Sequence, residues 1–151
     1  MNAFKTIILT TDFSETSRKA VAPAEMLANV FGAKILLVHV GDHVPPSLWE
    51  YPGLDVQALE NRQLDSAREQ LERFAAANLR NRQDVELIVV LGDAHVEIVR
   101  LAADRGADLI VMATHGRNFF SHAVVGSTTE RVLRRSPCPV LAVRDAGSKD
   151  T

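Results

Sequence analysis

The sequence predicts an α/β domain built on a doubly wound, five-stranded parallel sheet with helices on both faces. Five short apolar runs rich in β-branched residues recur along the chain, and segments with helical spacing separate them. The runs are mostly continuous instead of alternating, which is how strands covered on both faces read. Strands joined through helices run parallel by right-handed crossovers, so helices must lie on both sides of the sheet.

The first strand is predicted at Thr6-Ile7-Ile8-Leu9. A helix follows, with Ala20, Ala24, Leu27 and Phe31 on one stripe and Gly32 ending it. Asp12 and Glu15 have the spacing of a capping box that marks its start. Pro23, inside this helix, is expected to kink or divide it. The second strand is Ile35 to Val40, followed by a long connection, Gly41 to Asp55. The second helix covers Val56 to Leu79, with Leu64, Ala67, Leu71 and Phe74 facing the core. The third strand is Val85 to Leu91, the third helix Ala94 to Arg105 with Gly106 ending it, and the fourth strand Leu109 to Met112. The fourth helix spans Ser127 to Arg135, its terminal arginines suiting the negative end of the helix dipole. Pro139 introduces a short last strand, Val140 to Val143, a tolerated place for proline and a natural sheet edge.

At 151 residues the chain is expected to be one domain, residues 1–145, with a flexible polar tail at 146–151. Hydrophobic residues at 46% and charged residues at 24% are those of an ordinary globular domain, which excludes disordered and fibrous classes. A net charge of −2 without charge blocks argues against nucleic-acid wrapping. The sequence shows no apolar run long enough for a membrane span and no secretory pattern at Met1 to Lys5, so a cytoplasmic protein is expected. Cys138 is single and flanked by prolines; it reads as an inert, packed thiol in a reducing compartment.

In a doubly wound sheet, ligands bind beyond the carboxyl ends of the strands where the strand order reverses. The loops to watch therefore begin at Thr10, Val40, Gly92 and Ala113. The last is the richest: it runs Ala113-Thr114-His115-Gly116-Arg117 to Val125-Gly126-Ser127-Thr128-Thr129 and enters a helix. Gly126 would let a phosphate approach the backbone, and the hydroxyls and N–H groups of Ser127, Thr128 and Thr129 lie at the positive end of that helix. Gly116 offers the same at the near end of the loop, although both glycines equally suit turns and Ser127 equally suits a cap. A valine at Gly126 is expected to block phosphate without unfolding the domain. His39 reads as a hydrogen-bonded structural histidine; its spacing to His43 is a metal pair only on a helix, and this stretch leaves a strand. His115 and His122 flank the loop, either solvated or backbone-bonded or touching a phosphate; Phe119-Phe120 suggests burial in the chain's own core or against a partner, and Trp49 and Tyr51 either anchor the long connection or stack on a base.

The loop resembles the signature of the universal stress protein family: glycine, two residues, glycine, nine residues, glycine, then serine or threonine. Gly116, nine residues and Gly126-Ser127 match it, while Ala113 stands at the first glycine. Thr10-Thr11-Asp12-Phe13-Ser14, Val38-His39-Val40 and Ser136-Pro137-Cys138-Pro139-Val140-Leu141-Ala142-Val143 are similar to the same family, so the resemblance spans nearly the whole chain. It implies a Rossmann-like fold of the adenine-nucleotide α-hydrolase type, ATP binding, and a role as a nucleotide-dependent stress sensor or regulator. The implied binding residues are Thr10, Asp12, Val40, Met112, Ala113, His115, Gly116, Arg117, Gly126, Ser127 and Thr128. By that resemblance Asp12 meets the ribose side, the Val40 backbone pairs with the adenine edge, and the glycine loop surrounds the phosphates. Mg2+ would rest on phosphate oxygens, since no carboxylate pair is evident near the loop. A homodimer through Val140, Leu141, Ala142 and Val143 is implied as well. Two alternatives stand beside this reading: a family member that binds no nucleotide and acts through dimerisation and partner contacts, and an enzyme of a related fold. The second lacks its chemistry, because no G-x-x-x-x-G-K-[ST] loop, G-x-S-x-G elbow or cysteine pair is present. Any ATP hydrolysis would be weak.

Overall fold

A computed structural model describes residues 3–115 and 125–144. Five strands form one wholly parallel sheet: β1 (Thr6–Thr10), β2 (Lys34–Gly41), β3 (Val85–Leu91), β4 (Leu109–Ala113) and β5 (Val140–Val143), in the order β3-β2-β1-β4-β5. Among the described residues five α-helices accompany them: α1 (Glu15–Arg18), α2 (Val21–Phe31), α3 (Val56–Asn78), α4 (Ala94–Asp104) and α5 (Ser127–Arg135), with a 3-10 turn at Pro46–Leu48.

Alternate residues of the buried strands feed two separate cores. Ile7, Leu9, Ile35, Leu37, Leu109 and Val111 pack under α2 and α3 with Ala24, Ala28, Leu71 and Phe74. Ile8, Leu36, Val38, Ile110 and Met112 pack under α4 and α5 with Ile98, Leu101 and Val132. Both faces of β1, β2 and β4 are therefore dry, which is why their sequences show no polar alternation. Each fully buried Ile or Leu contributes about 1.5–3 kcal/mol relative to exposure, and these strands supply the helices with their apolar footing.

The first helical segment is divided into α1 and α2, one of the two outcomes expected, but the break falls before Pro23, which stands in the first turn of α2, where a helix loses no internal hydrogen bond to proline. The cap is also different. Ser14, not Asp12, is the N-cap of α1, and its hydroxyl accepts from the Ser17 N–H at 3.2 Å. Asp12 instead accepts from the Ser14 N–H at 3.0 Å, a local Asx turn that precedes the helix. Gly32 closes α2 at φ 66°, the left-handed conformation its sequence position suggested.

The strands' amino ends are closed by side chains. Asp108 accepts the backbone N–H groups of Lys5 and Thr6 at 2.8 and 3.0 Å. Arg82 donates to the Ala33 carbonyl at 3.0 Å and to Asp84 at 2.8 Å, tying the α2–β2 turn to the start of β3. Pro139 has no N–H to offer β4, but its carbonyl accepts from Ile110 at 3.0 Å, so the edge strand still joins the ladder.

Candidate functional site

The strand order reverses between β1 and β4: β2 and β3 lie on one side of this pair and β5 on the other. Beyond their carboxyl ends opens a cleft of about 360 Å3. Two corners of the chain form its walls.

The β1–α1 corner is knitted by short side chains. Thr11 receives the Phe13 N–H at 3.0 Å on its hydroxyl oxygen and meets the Ser17 hydroxyl at 2.8 Å. Ser17 gives its proton to the Ser14 carbonyl at 2.8 Å, so Thr11 must be the donor in the Thr11–Ser17 pair. Ser14 in turn donates its hydroxyl to Asp12. This chain holds Phe13 at φ 67°, a conformation rare for a bulky residue. The ring it displays stacks on His39 at 4.3 Å, while His39 Nδ1 donates to the Thr11 carbonyl at 2.8 Å. His39 thus has the structural role its position suggested.

The β4–α5 corner is held by backbone. The Gly126 N–H reaches the Thr114 carbonyl at 2.6 Å, the Thr114 N–H pairs with Val143 at 2.9 Å, and the buried Thr129 hydroxyl donates to the Ala113 carbonyl at 2.9 Å. Gly126 is the N-cap of α5 at φ −66°, so it needs no special backbone freedom. Its requirement is space. A Cβ there would stand 2.9 Å from the Thr114 carbonyl oxygen and 3.6 Å from His115 Cα. The expectation that valine at Gly126 would spare the fold is therefore corrected: the side chain would strike the neighbouring backbone before any phosphate arrived.

Nine of the sequence candidates meet in this cleft: Thr10, Asp12, Val40, Met112, Ala113, His115, Gly126, Ser127 and Thr128. Gly116 and Arg117 lie outside the described residues, as do His122, Phe119 and Phe120 and the tail from 146. Sequence reasoning missed Thr11, Gly41, Asp42 and Thr114, which also line it. Their signal was adjacency to named loop starts, but which of two neighbours faces the cleft is decided by strand register. Trp49 and Tyr51 do not line it; Trp49 donates its ring N–H to the Val44 carbonyl at 3.1 Å and anchors the long connection. His43 pairs with Glu60 at 2.9 Å and does not join His39.

The cleft is acidic on one side through Asp12 and Asp42, and no lysine or arginine among the described residues lines it. The α5 N-terminus supplies positive potential on the other side, where a glycine cap brings no side-chain acceptor to the first-turn N–H groups. Hydroxyls of Ser127 and Thr128 stand at that same end. Such an arrangement is chemically suited to an anion at α5 and to hydroxyl groups at Asp12. Cys138 lies outside it, half-buried, with its thiol pushed up from the ordinary range by burial, against which the Ser136 hydroxyl acts.

The model of the universal stress protein family matches residues 3–144. The chain belongs to the universal stress protein family. Universal stress protein MJ0577 of Methanocaldococcus jannaschii is 30% identical over 158 residues, covering 96% of this chain and 98% of that one. A universal stress protein of Thermus aquaticus is 35% identical over 141 residues, covering 93% and 99%. The solved structure of MJ0577 superposes with a TM-score of 0.84 at 31% identity, covering 97% of this chain and all of that one. A universal stress protein solved in complex with cAMP superposes at 0.67 with 25% identity, covering 94% and 98%. These relatives share the parallel α/β architecture of this universal stress protein. Among its described residues no helix is long and apolar enough to cross a membrane.

Proposed function

We propose that this universal stress protein binds ATP, with Mg2+, in the cleft between β1 and β4 and acts as a nucleotide-dependent stress sensor or regulator in the cytoplasm. The observation that carries the reading is the convergence of three things on one cleft: the glycine-capped N-terminus of α5, the Asp12 carboxylate and the end of β2 at Val40. Phosphates suit the first, ribose hydroxyls the second, and the backbone of a strand end can pair with the adenine edge. A relative solved with cAMP supports a nucleotide in this fold.

Ala113 stands where the family signature has its first glycine. In the structure it is the last residue of β4, paired with Val143, and it is not among the positive-φ residues. Alanine therefore sits there without backbone strain. Among the described residues no group of three or more His, Cys, Asp or Glu could hold a metal. Mg2+ would be held through phosphate oxygens, and the family resemblance assigns Gly116 and Arg117, outside the described residues, to the phosphates. The working unit is a homodimer paired through β5, an edge strand whose Leu141 is 37% exposed.

Denaturing the purified protein should release adenine nucleotide detectable by chromatography, and titration of the stripped protein with ATP and Mg2+ should give saturable heat. Neither nucleotide nor heat would overturn the reading. Leu141→Asp should yield monomers in light scattering; an intact dimer would remove β5 as the interface.

A further inference from the structure

A second concavity, of about 290 Å3, lies on the opposite side of the β1–α1 corner, between α1 and α3. Its floor is aromatic, made by Phe13 and Phe74, whose ring centroids are 6.4 Å apart in an edge arrangement. Its rim carries Arg18, Gln70, Arg73 and Asn78, and no carboxylate lines it. An aromatic floor beside two guanidinium groups suits a molecule with an apolar body and an anionic head.

We propose that this concavity binds a small carboxylate with an apolar body, an aryl or short alkyl acid, independently of the nucleotide cleft. The carboxylate lies between Arg18 and Arg73, and the body rests on Phe13 and Phe74. A guanidinium is a planar fork that matches a carboxylate, which favours this head group over a point-charge partner. Both arginines now pair on their own helices, Arg18 with Glu15 at 3.0 Å and Arg73 with Glu69 at 3.7 Å. These pairs are solvent-exposed, a setting in which ion pairs are weak, and each guanidinium has five donors, so neither prevents a bound anion. The volume lies at the small end of ligand pockets, which run from about 300 Å3 upward, and suits a small molecule. Phe13 is the shared element: one side of its environment is this floor and the other is His39. Its left-handed backbone is the kind of conformation that collects at ligand clamps.

The test is an amide NMR titration of the full chain with benzoate and hexanoate at constant ionic strength, with benzamide, hexanamide and acetate as controls. The expected result is saturable shifts at Phe13, Arg18, Arg73 and Ala77 for the two acids. The amides and acetate should bind at least tenfold more weakly, and Arg18→Gln with Arg73→Gln should weaken benzoate at least fivefold. Both substituted side chains are exposed, so the variant should melt with the parent chain. Equal binding of amides and acids would overturn the proposal, as would an unaffected double variant. Shifts confined to Thr114, Gly126 and Ser127 would also overturn it while leaving the nucleotide reading intact.

Discussion

The two corners that flank the cleft reach similar ends by different means. At β1–α1 a relay of hydroxyls, from Thr11 to Ser17 to the Ser14 carbonyl, holds the chain and forces Phe13 into the left-handed region. At β4–α5 the backbone holds itself, Gly126 against Thr114, and the essential property is the absence of a side chain. The first corner is therefore tunable by small polar substitutions. The second tolerates almost none, because any Cβ at Gly126 meets a carbonyl oxygen.

The largest effect should come from breaking the second corner. Gly126→Val should destabilise the domain by about 1–3 kcal/mol, as overpacking against fixed backbone does. It should also weaken ATP on the order of 100-fold, equivalent to about 2.7 kcal/mol. Denaturant unfolding and calorimetry separate the two effects. Unchanged stability would show that Thr114 yields and that the corner is less fixed than its 2.6 Å hydrogen bond indicates.

At the first corner, Asp12→Asn keeps an oxygen for the Ser14 N–H while removing the charge. Stability should change by no more than about 0.5 kcal/mol, the range of substitutions that spare a local hydrogen bond. ATP affinity should fall about tenfold, or about 1.4 kcal/mol, if the carboxylate meets ribose. A variant that loses stability but keeps affinity would make Asp12 purely a turn residue. Ser17→Ala should be milder for binding, a few-fold, because the Ser17 hydroxyl, although it lines the cleft, is engaged by Thr11 and the Ser14 carbonyl. It should cost about 1–2 kcal/mol of stability, since the buried Thr11 hydroxyl loses its acceptor.

The same contrast explains how much of the molecule was readable. Buried strands announce themselves, because Ile7 to Leu9 or Ile35 to Val38 must be apolar on both faces. The cleft's position followed from the alternation of strands and helices and from the Gly126-Ser127 helix start. Local detail at the first corner did not follow. Asp12 and Ser14 are both good caps, and the choice between them depends on Thr11 and Ser17 closing a relay that spacing does not reveal. Phe13 gives no sequence sign of its left-handed backbone, since that conformation is imposed by neighbours and not by the residue. At the second corner the importance of Gly126 was readable, but its cause was close backbone approach as well as room for a phosphate.

The smallest expected effect lies away from both corners and serves as their control. Glu86 on the edge strand β3 takes a hydrogen bond from Arg105 at the end of α4, and this, opposed by slight burial and aided by the charges of Arg105 and Lys34, holds its carboxyl below the ordinary range. A carboxyl lowered in the folded state stabilises above its unfolded value, and that contribution disappears as pH falls through the folded value. Arg105→Gln should move the Glu86 titration upward in NMR and flatten the acid limb of the stability profile slightly, with ATP affinity unchanged. The pair is solvent-exposed, so its contribution is small beside the corners. If the substitution altered nucleotide binding instead, the effect would have to travel along α4 to Ala94 and Ile98, the α4 residues that line the cleft. The two corners would then be joined by a third wall whose far end, at Arg105, is held by charge.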